Sequence, residues 1–321
     1  MMKKTFSLCI LAASLTLAGA AHAAYPEKPV TIVVPFPAGQ TGDLVAREVG
    51  EKLSKRLGQP FVIDNRGGAG GQVGTAHAAR AKNDGYTLLM TSTGPFAIAP
   101  SLYSNLPYNS LNDFVGIADA ATTPQIIAVP GDSEITDIKS LVEAAKKGDM
   151  TYASAGAGST QHLTMELLKQ ELDIDMLHVP FKGSAESKIQ VVSGLIPVTS
   201  DSLPAILPQL KAGQLKGIAI VDTERSTFVP DIPTYTEQGY APISTLAFFG
   251  LVAPAGTPKD IVDTLNKHMN EIMAEKETQD QFAKLALTAA KPKTTDEFNQ
   301  YIHDEVSKWK KVIDNADAKI N

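Results

Sequence analysis

The segment from Val30 to Arg47, VTIVVPFPAGQTGDLVAR, carries the clearest chemistry in the chain. The β-branched run Val30-Thr31-Ile32-Val33-Val34 fits a buried parallel strand. It breaks at Pro35-Phe36-Pro37-Ala38-Gly39, and a helix with apolar Leu44, Val45, Val49 and Leu53 begins near Thr41. A strand that feeds through a Gly-containing loop into a helix leaves unpaired backbone N–H groups at the carboxyl edge of a sheet. That geometry binds anions. Ser154-Ala155-Gly156-Ala157-Gly158-Ser159-Thr160 repeats the logic ahead of another helix. Ser92 and Thr93 end a third strand at the same sheet edge and offer hydroxyls. For each loop the competing assignment is a capped βα turn that binds nothing.

Other chemistries find little support. His162 lies just inside the helix after the second loop, but catalysis there would need an ordered nucleophile and a third partner. No G-x-S-x-G elbow occurs. His77, His162, His178, His268 and His303 form no H-x-x-x-H or H-x-H cluster, so no metal site is expected. Gly68-Ala69-Gly70-Gly71-Gln72-Val73-Gly74 imitates a dinucleotide fingerprint with the spacing G-x-G-x-x-x-G and no acidic residue where the ribose would need one. Glycines for tight βα packing account for it better, and no cofactor is expected.

The elements that must position these loops alternate almost throughout. Phe61–Ile63, Thr87–Met90, Thr151–Ala153, Met176–Phe181, Val198–Ser200 and Lys216–Val221 read as strands. Gln72–Ala81, Asp137–Lys147, the segment carrying Leu163, Leu167 and Leu168, Ile189–Val192 and Leu203–Leu210 read as helices. Such alternation predicts an α/β protein with mostly parallel sheet and helices on both faces. Two extended runs interrupt it: Ala118–Val129, with Pro124 inside, and Ser244–Ala253, after a turn-rich stretch from Thr223 to Pro242. Two amphipathic helices follow, one spaced by Ile261, Leu265, Met269 and Ile272, the other by Phe298, Ile302, Val306, Trp309 and Val312. Two crossings between βα clusters predict two lobes joined by a pair of hinge strands, with residues 24–123 and 247–321 in lobe 1 and 124–246 in lobe 2. Ligands then sit in the cleft, at the strand carboxyl ends.

Composition narrows the partners. The formal net charge is −6 and no basic stripe appears, so nucleic acid is not an expected partner. An acidic balance still permits anion binding through local backbone dipoles. Lys3 and Lys4, the apolar Phe6–Leu17 and the small-x-small Ala21-His22-Ala23 read as a secretory signal peptide over residues 1–23, so the mature chain is expected to be exported. The sole cysteine, Cys9, falls inside that segment and away from the cleavage point, so a lipoprotein is not expected. The mature chain would hold no disulfide or thiolate and would rely on its hydrophobic core.

Taken in order, the motifs resemble the solute-binding proteins of tripartite tricarboxylate transporters, the Bug proteins. The matching residues include Tyr25-Pro26-Glu27-Lys28-Pro29, Val34-Pro35-Phe36-Pro37-Ala38-Gly39, Asn65-Arg66-Gly67-Gly68-Ala69-Gly70-Gly71, Asp84-Gly85-Tyr86-Thr87-Leu88-Leu89, Tyr152-Ala153-Ser154-Ala155-Gly156, His178-Val179-Pro180-Phe181-Lys182-Gly183-Ser184, Asp201-Ser202-Leu203-Pro204, Leu210-Lys211-Ala212-Gly213 and Ala253-Pro254-Ala255-Gly256-Thr257-Pro258. The resemblance implies a location in the periplasm and a type II periplasmic-binding-protein fold that closes on a small carboxylate and hands it, unaltered, to integral membrane transporter subunits; a monomer is expected. It implies that Phe36, Ala38, Gly39, Gln40 and Thr41 form one carboxylate loop, with Gly39 admitting the ligand to the backbone and Thr41 capping the helix. Ser154, Ala155, Gly156 and Ser159 would face them, Ser92 and Thr93 would add hydroxyls, and Asp201 would lie at the cleft floor unless it serves only as a helix cap. Phe248 would supply an aromatic from the second hinge segment, with core packing as its alternative. The chain departs from the family pattern at Gln40 and Gly42, and at Phe96 and Ala99, where the family often has His and Asn. The latter pair predicts a less polar ligand body. Two rival functions are a ligand-sensing module and a hydrolase or lyase of a carboxylated substrate.

Overall fold

The computed structural model describes residues 25–316 and 319; the expected signal segment, Cys9 included, lies outside them. Strand β1 (Val30–Val34) is buried and lies between β2 (Phe61–Asn65) and β3 (Thr87–Ser92), parallel to both. Helix α1 (Thr41–Leu57) lays Val45, Ala46, Val49 and Leu53 on that sheet, and all four are fully buried. It stops at Gly58, whose left-handed backbone (φ 71°) lets the amide reach the Ser54 carbonyl at 3.0 Å. Helix α2 (Gln72–Ala79) follows β2. After β3 comes a π-helical turn, Gly94–Ile98, which runs into the short α3 (Ala99–Leu102).

The first extended run is two strands, β4 (Phe114–Thr123) and β5 (Gln125–Pro130), broken at Pro124. They belong to different sheets. Proline has no amide to donate to a ladder, so the chain changes sheets there. Beyond it stand α4 (Ile138–Ala145), β6 (Thr151–Ser154), α5 (Thr160–Leu172), β7 (Leu177–Pro180), α6 (Ser184–Val192), β8 (Val198–Ser202), α7 (Leu203–Lys211) and β9 (Leu215–Ile220). The chain then returns through β10 (Ala247–Pro254) to α8 (Lys259–Ala274), α9 (Lys276–Lys284), β11 (Thr288–Ala289) and α10 (Thr295–Ala316). Among the described residues the sheets have the orders β11-β4-β10-β3-β1-β2 and β7-β6-β8-β5-β9.

These sheets are mixed, which corrects the mostly parallel expectation. β10 runs antiparallel to β3 and β4, and β5 runs antiparallel to β8 and β9. The reason is topological. Parallel strands of each lobe end at the cleft, and a strand entering from the cleft must run against them. Phe96 and Ala99, expected beside the ligand, are buried in lobe 1, and Phe96 stacks edge-on against Phe114 at 5.2 Å. They are core residues, so the less polar ligand body loses its basis. One apolar cluster includes Leu163 of α5 together with Ile98, Trp309 and Ile313.

Candidate functional site

A cleft of about 1110 Å³ separates the two sheets. Helices α1 and α5 aim their N-termini into it from opposite lobes. On the α1 side Gln40 is the N-cap, so Thr41 sits one position inside the helix and is not the cap. The third helical residue, Asp43, turns its buried carboxylate back to the loop. It accepts from the Gly39 amide at 2.8 Å and from Asn65 Nδ2 at 3.0 Å, and pairs with Arg47 at 2.9 Å. Burial pushes this carboxyl up, but the Arg47, Gly39 and Asn65 donors outweigh it and hold it below the usual carboxylate range. Gly39 therefore spends its amide within the loop. Glycine is required there by a φ of 84°, while a Cβ would meet open space. In the first turn of α1 the amides without a protein acceptor among the described residues are those of Thr41 and Gly42, and the Ala38 amide of the loop has none either.

The α5 side is built in a similar way. Ser159 is the N-cap; its hydroxyl accepts from the His162 amide at 3.2 Å and donates to the Gly156 carbonyl at 2.6 Å. The amides of Thr160 and Gln161 are left free of acceptors among the described residues. A stack of three rings braces the loop from behind. His162 lies 4.0 Å from His178, which lies 4.9 Å from Tyr152. The Gly158 amide donates to His162 Nδ1 at 3.2 Å, which fixes that imidazole as a neutral acceptor. Burial depresses its pKa to about 4, and burial with the neighbouring His162 takes His178 to about 3. Ser154 Oγ sits 2.7 Å from His178 Nε2. The pair has the spacing of a nucleophile and base, but Ser154 is fully buried and also bonded to the Gly156 amide, so substrate has no approach to it.

The expected site residues divide. Phe36, Gly39, Gln40, Thr41, Ser92, Ala155, Gly156 and Ser159 line the cleft. Ala38, Thr93, Ser154, Asp201 and Phe248 do not. Thr93 Oγ1 is buried and accepts from the Phe248 amide at 2.9 Å. Phe248 is fully buried against Phe298 and Tyr301, and its strand neighbour Phe249 faces the cleft instead. Successive residues of a strand face opposite ways, so a one-residue error reverses the assignment. Asp201 lies beneath the wall, bonded to Gln161, Ser184 and the Ser202 amide.

Sequence reasoning missed several lining residues: Tyr103, Gln125, Gln161, and Lys182 to Glu186 with Lys188 at the start of α6. Tyr103 donates across the cleft to the Ala157 carbonyl at 3.1 Å, tying the lobes together. A Cβ on Gly158 would come within 2.9 Å of the Tyr103 hydroxyl, so this approach also needs glycine. Charged lining groups are few: Lys182, Glu186 and Lys188. Lys188 Nζ donates to the Ala205 carbonyl at 2.5 Å, and Glu186 accepts from the Lys182 amide at 3.1 Å. Anions in the cleft meet peptide dipoles together with the lining Lys182 and Lys188, on walls made of Phe36, Phe249, Phe181 and Tyr103. Among the described residues no group of three or more His, Cys, Asp or Glu is placed to hold a metal ion, and no helix is long and apolar enough to cross a membrane.

Comparison with known proteins agrees with this geometry. Protein BugT of Bordetella pertussis is 33% identical over 299 residues, covering 92% of this chain and 91% of the relative. An R. palustris protein solved with adipate superposes with a TM-score of 0.86 at 30% identity, covering 91% of this chain and 98% of the other. MatC from Rhodopseudomonas palustris, solved with bound malate, gives 0.84 at 30% identity, with coverage of 90% and 100%. Residues 45–318 match the family described as tripartite tricarboxylate transporter family receptor, and with its two lobes and amide-lined cleft the chain belongs to that family of periplasmic solute-binding receptors.

Proposed function

We propose that this chain captures a small carboxylate between its lobes and presents the closed form to the integral membrane subunits of a tripartite tricarboxylate-type transporter. One observation carries the reading: two facing helix N-termini offer the unpaired amides of Thr41 and Gly42 and of Thr160 and Gln161 to the same cleft. Anions are stabilised by such termini, and the adipate and malate complexes of the two relatives support carboxylate as the class. Phe36, Gly39, Gln40, Thr41, Ser92, Ala155, Gly156 and Ser159 contact the ligand, with Phe249 in the place expected for Phe248. Residues 24–123 and 247–321 act as one lobe and 124–246 as the other, hinged at Pro124 and before Ala247. The ligand leaves chemically unchanged, because among the described residues the cleft presents no accessible nucleophile paired with a base. The mature protein works as an exported monomer after loss of residues 1–23.

Thermal denaturation against a panel of mono-, di- and tricarboxylates tests this directly. A ligand that binds only the folded state raises the melting temperature by mass action. At least one acid should do so in a concentration-dependent way and be recovered intact. A panel with no shift, or an acid converted to product, would remove the receptor reading.

A further inference from the structure

We propose that the cleft selects carboxylates bearing a hydrogen-bond donor, a hydroxyl or an ammonium, on the first or second carbon from the carboxylate, and that Gln161 reads that donor. This rests on the receptor reading above and names its ligand class. The argument starts at Asp201, which is almost completely buried. One of its oxygens, Oδ1, accepts from Gln161 Nε2 at 2.9 Å, from Ser184 Oγ at 2.9 Å and from the Ser202 amide at 2.7 Å. A carboxylate only accepts, so Gln161 must turn its NH₂ group inward. The second Nε2 contact is Ser184 Oγ at 3.3 Å. Both amide hydrogens are thereby engaged, and the Ser184 proton is spent on Asp201.

Gln161 and Ser184 both line the cleft. What they have left to offer there is acceptor capacity: the Gln161 Oε1 carbonyl and a serine lone pair. Gln161 also contributes its own backbone N–H to the free amides of α5. One residue thus supplies an anion-seeking amide and, a side-chain length away, a donor-seeking oxygen. A hydroxy or amino carboxylate satisfies both. A plain alkyl carboxylate leaves Oε1 stripped of water and unpaired once the lobes close. A second carboxylate at that spot would face the carbonyl dipole. Asp201 acts as a positioning residue, since it touches Gln161 and not the cleft.

The test is calorimetric titration of the full mature protein with matched acids: propionate and lactate, succinate with malate and aspartate, glutarate and 2-hydroxyglutarate. In the wild-type protein at least one donor-bearing acid should bind about tenfold more tightly than its parent. In Gln161→Leu that ratio should fall to about twofold or less. Asp201→Asn, which can donate to Gln161 Oε1 and let the amide flip, should lower the same ratio while the far-ultraviolet spectrum is kept. A ratio is the readout because general loosening of the fold weakens both members of a pair alike. Parents binding as tightly as their donor-bearing partners would overturn this inference and leave the receptor reading standing. A donor preference undiminished in both variants would also overturn it. If no carboxylate of any kind binds, the receptor reading falls with it.

Discussion

Replacing Asp43 by asparagine probes the device that shapes the first loop. The carboxylate is buried, and its two short bonds to the Gly39 amide and Asn65 Nδ2 are charge-assisted. Asparagine keeps one acceptor but turns an NH₂ toward the other donor, leaving a buried donor unsatisfied at a cost of about 1–3 kcal/mol. The Arg47 partner is half-exposed, with 53% of its side chain accessible, so losing it adds only about 0.2–1 kcal/mol. Asp43→Asn should therefore lose about 1–4 kcal/mol of unfolding free energy. Urea denaturation of both ligand-free proteins measures it. The pH dependence carries a sign. The native carboxyl lies below the unfolded value of 3.8, so the native state binds that proton less readily. Its stabilisation is whole above the unfolded value and is lost as pH falls through the native one. The gap between wild type and variant should stay flat from neutral pH to about pH 5 and close only in stronger acid. A variant within about 0.5 kcal/mol of wild type at neutral pH would refute the role assigned to Asp43.

Three further outcomes follow from the same structure. His162 and His178 are neutral in the fold but titrate near 6.5 when unfolded, so the unfolded chain gains protons and stability falls as pH drops from 6.5 toward about 4, by up to about 1.4 kcal/mol per pH unit for each ring. His178→Gln should reduce that slope, read from urea midpoints between pH 6.5 and 5; an unchanged slope counts against the buried neutral pair. Tyr103→Phe removes the interlobe bond to Ala157 and should raise the ligand Kd about 2- to 10-fold, mostly through faster dissociation in stopped flow; an unchanged off-rate would deny it a part in closure. Gln125 is buried with neither amide atom partnered, so Gln125→Met should raise the unfolding free energy of the ligand-free protein by about 1–2 kcal/mol. A loss of stability instead would mean that internal water serves the amide.

What was legible in the sequence depended on range. The β1-to-α1 turn could be read because its signals are contiguous: a β-branched run, two prolines, Gly39, then helical spacing. The sheet change at Pro124 was visible for the same reason. The antiparallel entry of β5 and β10 was not, because strand direction is set by where the chain re-enters a lobe and not by composition. Phe248 and Phe249 are both aromatic, and β10 carries register shifts beside Phe249, so nothing local fixes which ring faces the ligand. Asp43 could have been found: an acidic third residue that reaches back to the loop is a known capping signature. The Gln161–Asp201 bond joins residues 40 apart, and the His162–His178 stack joins helix α5 to strand β7; neither leaves a periodic trace. Helix α9 and strand β11 were missed because one is short and polar and the other has only two residues.

Leu163 of α5 shares an apolar cluster with Ile98, Trp309 and Ile313, which the proposed division of the chain puts in the other lobe. Parting the lobes must wet it, so the resting protein has its own reason to stay shut, independent of any guest. Apolar contacts of this kind weaken on cooling, and the fraction of molecules gaping at equilibrium should grow in the cold. Capture from the open form then carries a negative heat-capacity change set partly by this leucine, whatever acid fills the space.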